Sequence, residues 1–463
     1  MKTLFKRKII KNIPNLLLSA LLVLVIVSTA AAAYYVYYAD EIDPDILNYY
    51  QNENSRPHHL HGFSRIIRNS KALFGKKVSE FVHWRTETNY LRTHLNEKEI
   101  IDRFLNQKTS TALKIQDAWR LGVMNTDASH NALLKGMKSD NPDIRRAVAV
   151  ALGHSTFPDA RELLHRLLND ENEYVAAAAV KALALFDDDD SINLIASILE
   201  NENNSENLRI AAAAALGTSE NTSALRALTD AFYNSGNYSE NLYNAVIQGI
   251  SNFPFIQSQP VFENIINNQN YNQEQKIYAI ETLVNSDEDA LPFLYNQIET
   301  SENPEIRAAA AWTLGANPDS GKYSEKLTNS LMQEPDSKVR RRIYEALLTQ
   351  KNPDAEIIIN HAEKEEDPAA FIAGADAAAA AIRKSKNNIP DEIITQFDSL
   401  FVPSLRKTIF SDNASLNLKM RSLIALKLAG TPESVKLLKE IKNSDNNSPL
   451  SRSARSALNS LNE

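Results

Sequence analysis

The chain contains no cysteine. Disulfides, thiolate nucleophiles and Cys-based zinc sites are therefore excluded, an absence that suits an oxidising compartment without requiring one. Glycine and proline are sparse, 12 and 17 in 463 residues, too few for a collagenous or a generally disordered chain. None of the nine histidines precedes a glutamate, and no G-x-S-x-G, P-loop or H-E-x-x-H motif occurs, so no motif identifies a reaction. The body also lacks accumulated basic charge. From residue 111 onward, 34 basic residues face 48 acidic ones, a poor surface for nucleic acid, whose phosphates need clustered Lys and Arg.

What is present is apolar and helix-favouring. Apolar residues make up 43% and charged residues 23% of the sequence, and runs of alanine favour helix. The length suits several ordinary domains or one long repeat array.

The basic residues gather at the start. Residues 1–12 carry Lys2, Lys6, Arg7, Lys8 and Lys11 with no acid, and 16–38 carry no charge at all. At 1.5 Å rise per residue such a run reaches about 30 Å, the thickness of a bilayer's hydrocarbon core. Tyr34, Tyr35, Tyr37 and Tyr38 suit the headgroup interface, and Asp40, Glu41, Asp43 and Asp45 come next. The positive-inside rule then predicts a cytoplasmic tail over 1–12, a transmembrane anchor over 13–38, and an exported remainder facing a bacterial periplasm. The small residues at 30–33 would also suit a cleavable signal peptide, but the length of the run favours an anchor.

Residues 39–62 read as a polar linker. It includes the cluster "HHLH" (His58, His59 and His61), which lacks a further ligand at a recognisable metal spacing. Residues 63–107 have helical periodicity with basic residues among aromatics. They are expected to cap the open first face of the region beginning at 108, or to form a collar that contacts anionic headgroups.

From 108 to 463 one phrase recurs. Aligned on its last leucine, the copies fall at Leu121, Leu152, Leu183, Leu216, Ile250, Leu283, Leu314, Leu347, Ile382, Leu428 and Leu458, most of them 31 to 35 residues apart. Apolar residues stand eight positions earlier in nine copies, from Leu113 and Ile144 to Met420 and Leu450, while Gln275 and Gly374 break the rule. Eight positions correspond to about 80° around a helix, so both residues share one buried face. Gly122, Gly153, Gly217 and Gly315 follow the aligned leucine and suit the left-handed position that ends a helix. A second amphipathic segment comes after each turn, as in "ARELLHRLL" and "SVKLLKEIK". A single hairpin of this kind cannot bury its apolar face alone, so stacking must create the core. The longest gap predicts an insertion near 384–415, either an extra helix or a protruding loop.

The phrases "NPDIRRAVAVALG" (141–153), "NPEIRAAAAWTLG" (303–315) and "LRIAAAAALG" (208–217) resemble the HEAT repeat, in its short form first named after phycobilisome lyases. The resemblance implies an all-α fold, an α/α solenoid or superhelix of about eleven hairpins used mainly for protein binding. Deoxyhypusine hydroxylase, built from similar repeats, needs His-Glu dipeptides for its di-iron centre, and this chain has none. A phycobilin lyase would work in the cytoplasm, which the expected anchor contradicts.

Arg145, Arg209, Arg307, Arg340 and Arg421 recur in register, with Lys114 in the first copy. They could form a row for an anionic ligand, but recurrence in register is what stacking demands, so each is expected to pair with an acid of the neighbouring repeat. The acids at 187–190 match no EF-hand and are expected to stabilise a helix N-terminus. No catalytic, cofactor, metal or small-molecule site is expected. The sequence reads as a membrane-anchored scaffold or adaptor that binds a protein partner on a surface lined largely by the second helices. The alternatives are an accessory or maturation factor for a membrane enzyme and a structural subunit of an envelope complex.

Overall fold

A computed structural model describes residues 97–234, 238–385, 389–444 and 448–461. Among them are 22 α-helices and no strand. In chain order they are α1 (Glu97–Leu105), α2 (Thr111–Met124), α3 (Asp127–Gly136), α4 (Pro142–Gly153), α5 (Ala160–Leu167), α6 (Glu173–Leu183), α7 (Asp189–Glu200) and α8 (Glu206–Leu216). Next come α9 (Thr222–Tyr233), α10 (Glu240–Ser251), α11 (Phe255–Asn267), α12 (Gln273–Thr282), α13 (Ala290–Thr300), α14 (Pro304–Ala316), α15 (Ser324–Gln333) and α16 (Ser337–Leu347). The last are α17 (Ala355–Ala362), α18 (Pro368–Lys384), α19 (Asp391–Ile409), α20 (Leu416–Ala429), α21 (Pro432–Ser444) and α22 (Pro449–Leu461). The chain divides into two compact units, the larger being Lys71–Leu437. In the other, the stretch from Leu438 includes α22, with Ala454, Ala457 and Leu458 buried and the Ser451 hydroxyl donating to the Lys442 carbonyl.

The repeated phrase forms the even-numbered helices. Each starts where a short polar side chain accepts an early backbone N–H: Asn141, Asn172, Asn303, Asp336 and Asp367 cap α4, α6, α14, α16 and α18. Three of these helices also begin with proline, whose missing N–H costs nothing there. The aligned residues at 121, 152, 183, 216, 250, 283, 314 and 347 are fully buried. On α20 Leu426 is fully buried, whereas the aligned Leu428 is half-buried. Leu113, expected on the buried face, is exposed at the first turn of α2.

Successive even-numbered helices lie side by side, α2 on α4, α4 on α6, α14 on α16 and α16 on α18, while α7, α13, α15 and α17 pack mainly on the first helix that follows each of them, α8, α14, α16 and α18. The glycines show how closely they approach, and correct their expected role. Gly122, Gly153 and Gly315 lie inside helices and Gly217 is right-handed at φ −66°; the left-handed ends are Asn125 (φ 57°) and Gly430 (φ 59°). A Cβ at Gly122 would stand 2.6 Å from the carbonyl oxygen of Ala151, and one at Gly153 would stand 2.7 Å from the Cβ of Ala182. Gly315 faces the Cα and Cβ of Ala346 more closely still. In each case the residue after one aligned leucine meets the residue before the next, so the small pair sets the helix spacing.

In the stretch near 384–415, α18, of 17 residues, ends at Lys384 and α19, of 19 residues, spans Asp391–Ile409, while residues 386–388 lie outside the described residues. At the start of the described chain, α1 packs on α2 and α3 and buries Ile100 and Phe104. Residues 63–96 of the expected cap lie outside the described residues.

The expected single-pass localisation is corrected. No helix among the described residues is long and apolar enough to cross a membrane. The longest, α19, carries Asp391, Glu392, Asp398, Arg406 and Lys407. The run at 13–38 that prompted the expectation lies outside the described residues, and the transmembrane helix, the export and the periplasmic location inferred from it are withdrawn.

Gly315→Ala tests the spacing rule. Helix propensity alone would make the substitution stabilising by about 1 kcal/mol, whereas overpacking costs about 1–3 kcal/mol. The expected outcome is a lower midpoint in thermal or urea unfolding; a raised midpoint would refute the close approach.

Candidate protein-docking groove

The first helices of three consecutive hairpins, α2, α4 and α6, frame an open groove of about 620 Å³. Its floor is made of methyl groups: Ala147 on α4, and Ala177, Ala178 and Ala182 on α6. The walls are larger apolar side chains, Ile115 and Trp119 on α2, Val150 on α4, Tyr174 on α6 and Leu185 just beyond it. Val150 is 41% exposed, Leu185 43% and Tyr174 70%. Large apolar side chains gathered in the open around a concave floor mark an interaction surface more often than chance exposure does.

The polar rim is short of acid. Arg146 pairs with Asp143 at 3.1 Å. The Lys181 side chain is exposed and makes no ion pair with any described residue, and His154 is exposed beside it. The second helices of the same hairpins differ. On α5, Arg161 pairs with Asp188 and Asp190 at the start of α7, and Arg166 bonds to Glu162 at 2.6 Å. In these three hairpins the exposed large apolar residues lie on or just beyond the first helices, whereas Tyr233, Ile256 and Met332 are exposed on second helices further along.

The ninth residue after the N-cap is Trp119 on α2 and Val150 on α4, and both face the groove. The same register holds Lys181 on α6, and in later first helices both polar residues, such as Gln248 and Glu281, and apolar ones, such as Trp312 and Ile424. The register alone does not mark the groove.

The recurrent arginines are structural in three repeats. Four residues after its cap, Arg145 donates from Nε and Nη2 to both carboxylate oxygens of Asp170, at 2.7 and 2.8 Å, and from Nη1 to the Ser139 carbonyl at 2.8 Å. Arg307 holds Glu334 in the same way at 2.8 Å twice and donates to the Ser301 carbonyl at 2.9 Å. Arg340 holds Glu365 at 2.7 Å twice and also donates to the Glu334 carbonyl, so these two rungs share a residue. Each acid lies two residues before the next repeat's cap. Burial pushes the Asp170 carboxyl up, but the Arg145 guanidinium and the Asn172 backbone N–H bring it below the ordinary carboxylate range.

The row is interrupted between these rungs. Arg209 donates to the Leu199 carbonyl at 2.8 Å and lies 4.9 Å over the Tyr238 ring. The register then holds Ala176, Tyr243 and Lys276. Tyr243 packs against Phe232 and Tyr271, and Lys276 donates to the Ile266 carbonyl at 2.8 Å. Lys114 makes no ion pair with a described residue. Arg421 lies six residues after its cap, Ser415, not four, and that rotation takes it out of the row.

The acids at 187–190 are engaged in capping and contacts between hairpins. Asp188 accepts the Ser191 N–H at 2.9 Å, Asp187 bonds Ser219, and Asp189 accepts from Asn221 and Ser223. His58, His59 and His61 lie outside the described residues.

Residues 160–241 and 260–347 match the family model for HEAT repeats. In fold the chain is similar to a mutant of Kap121p, with a TM-score of 0.50 and 14% identity over 78% of this chain and 44% of that one. It is also similar to yeast importin-beta (Kap95p), with a TM-score of 0.49 and 15% identity over 79% of this chain and 57% of that one. The chain thus spans about half the length of these solved chains. Among curated proteins none matches it. The family match and the likeness to the Kap121p mutant support HEAT repeats in a helical solenoid, and the narrower expectation of a phycobilisome-lyase type finds no support in them.

Arg421 leads to the most unusual buried charge. Its Nη2 lies 3.5 Å from Asp376 on α18 and 3.3 Å from Glu345 on α16, and Glu345 also takes Arg341 at 3.1 Å and Arg342 at 2.7 Å. Asp376 Oδ1 is buried with no hydrogen-bond partner among the described residues. Burial raises the Asp376 carboxyl to about 7, Arg421 opposing and Glu345 adding to the shift. An unfolded Asp ionises near pH 4, so this group stabilises the fold in acid. Its contribution is lost as pH rises from about 4 through about 7. Asp376→Asn should therefore flatten that part of the stability–pH curve and raise the unfolding midpoint at pH 8; identical curves for the two proteins would refute a raised ionisation.

Proposed function

We propose that this chain is a non-catalytic, protein-binding scaffold whose docking surface is the groove over α2, α4 and α6. The groove itself is the observation that carries the reading: Val150, Tyr174 and Leu185 stand in the open, with the half-buried Trp119, around an alanine floor. Covering them with a partner would remove apolar surface from water at about 25 cal/mol per Å², the main source of affinity in protein association. The charged residues supply a second support. Arg145, Arg307 and Arg340 are held bidentately by their own chain, which leaves them committed to stacking. A stack of hairpins is a suitable frame for docking, since each repeat adds surface without needing a new core.

A photo-reactive residue placed at Val150 in the full chain is expected to give a protein adduct, and one placed at the exposed Arg226 of α9 is not. The reverse pattern would move recognition to the second helices and overturn the assignment.

A further inference from the structure

Resting on that docking reading, we propose that the groove takes an amphipathic helix of another protein, with large apolar side chains on one face and carboxylates beside them. The groove's relief points to a helix. Ala178 and Ala182 are one turn apart on α6 and Ala147 lies on α4, so the floor has methyl-lined hollows between taller walls. Hollows at that spacing accept apolar side chains that recur at i and i+4.

Charge selects among occupants. Lys181 is a cation with no ion-pair partner among the described residues, and Arg146 is answered only by Asp143. The chain's own segment 56–108 has eleven basic residues against five acidic ones, so it would bring like charge to this rim. A second copy docked groove to groove by a two-fold axis would set the same cations against each other. Carboxylates on a foreign helix meet neither objection. Exposed pairs of this kind contribute little affinity each, so they choose the partner while apolar burial holds it.

The test uses the full chain and two synthetic helical peptides. Both carry leucines at i, i+3, i+4 and i+7, and their flanks are glutamate in one and lysine in the other. Fluorescence anisotropy at low salt is expected to show the glutamate peptide binding about tenfold more tightly, with the difference shrinking as salt rises. Lys181→Glu with Arg146→Glu should reverse the preference, and Val150→Asp should weaken both peptides. Equal affinities, a preference for the lysine peptide, or no binding of either would overturn the proposal. So would tighter binding of a synthetic 63–96 peptide, or self-association of the chain that Val150→Asp abolishes. The crosslink at Val150 reads separately: an adduct there alongside equal peptide affinities would keep the groove as the docking surface and remove only its charge preference.

Discussion

The structure depends on how closely each first helix approaches the next. Gly122 against Ala151, Gly153 against Ala182 and Gly315 against Ala346 are contacts in which one extra methyl group would meet backbone or Cβ atoms. Helices at that spacing bury Leu121, Leu152, Leu183, Leu314 and Leu347 completely. The small pair at these three junctions therefore does two things: it fixes the separation of the helices and lets a large apolar neighbour seal the layer beneath. Because each hairpin is completed only by its neighbours, the body is a sum of local interfaces and not a single central core.

The arginine rungs act at the edge of the same interfaces. Where they are complete, a guanidinium joins the loop before its own helix to the acid before the next, and removing one partner would leave a buried charge unanswered, a loss of about 3–5 kcal/mol in comparable buried pairs. Where they are absent, aromatic packing takes over around Phe232, Tyr243 and Tyr271. Charge excluded from the row appears elsewhere: Arg421, rotated out of register, is directed to the buried Asp376.

Much of the framework is legible in the sequence because its physics is local. The eight-residue apolar spacing and the alanine runs each specify a helix within a dozen positions, and together they mark most even-numbered helices of the array. The arginines are legible because recurrence in register betrays a stacking role. The glycines mislead because a glycine at a helix end and one inside a close helix contact look alike in sequence, and only the neighbouring helix distinguishes them. Arg421 misleads because its place counted back from Leu428 matches the row, whereas its rotation is set by the cap at Ser415. The groove is hidden because Trp119 and Val150 read as two more apolar residues in a helical pattern. Their meaning comes from the exposed Tyr174 and Leu185, which only the folded helices bring beside them. The apolar run at 13–38 suggests a span by length and composition alone, and no described helix supports that placement.

Hydrogen exchange on Ala346→Leu, read by mass spectrometry across the full chain, tests nearest-neighbour burial most directly. The account predicts that the bulkier side chain, wedged between α14 and α16, lowers protection in those helices and the hairpins touching them while α4 and α6 keep theirs. Uniform loss of protection from residue 97 to 437, or none at all, would contradict it.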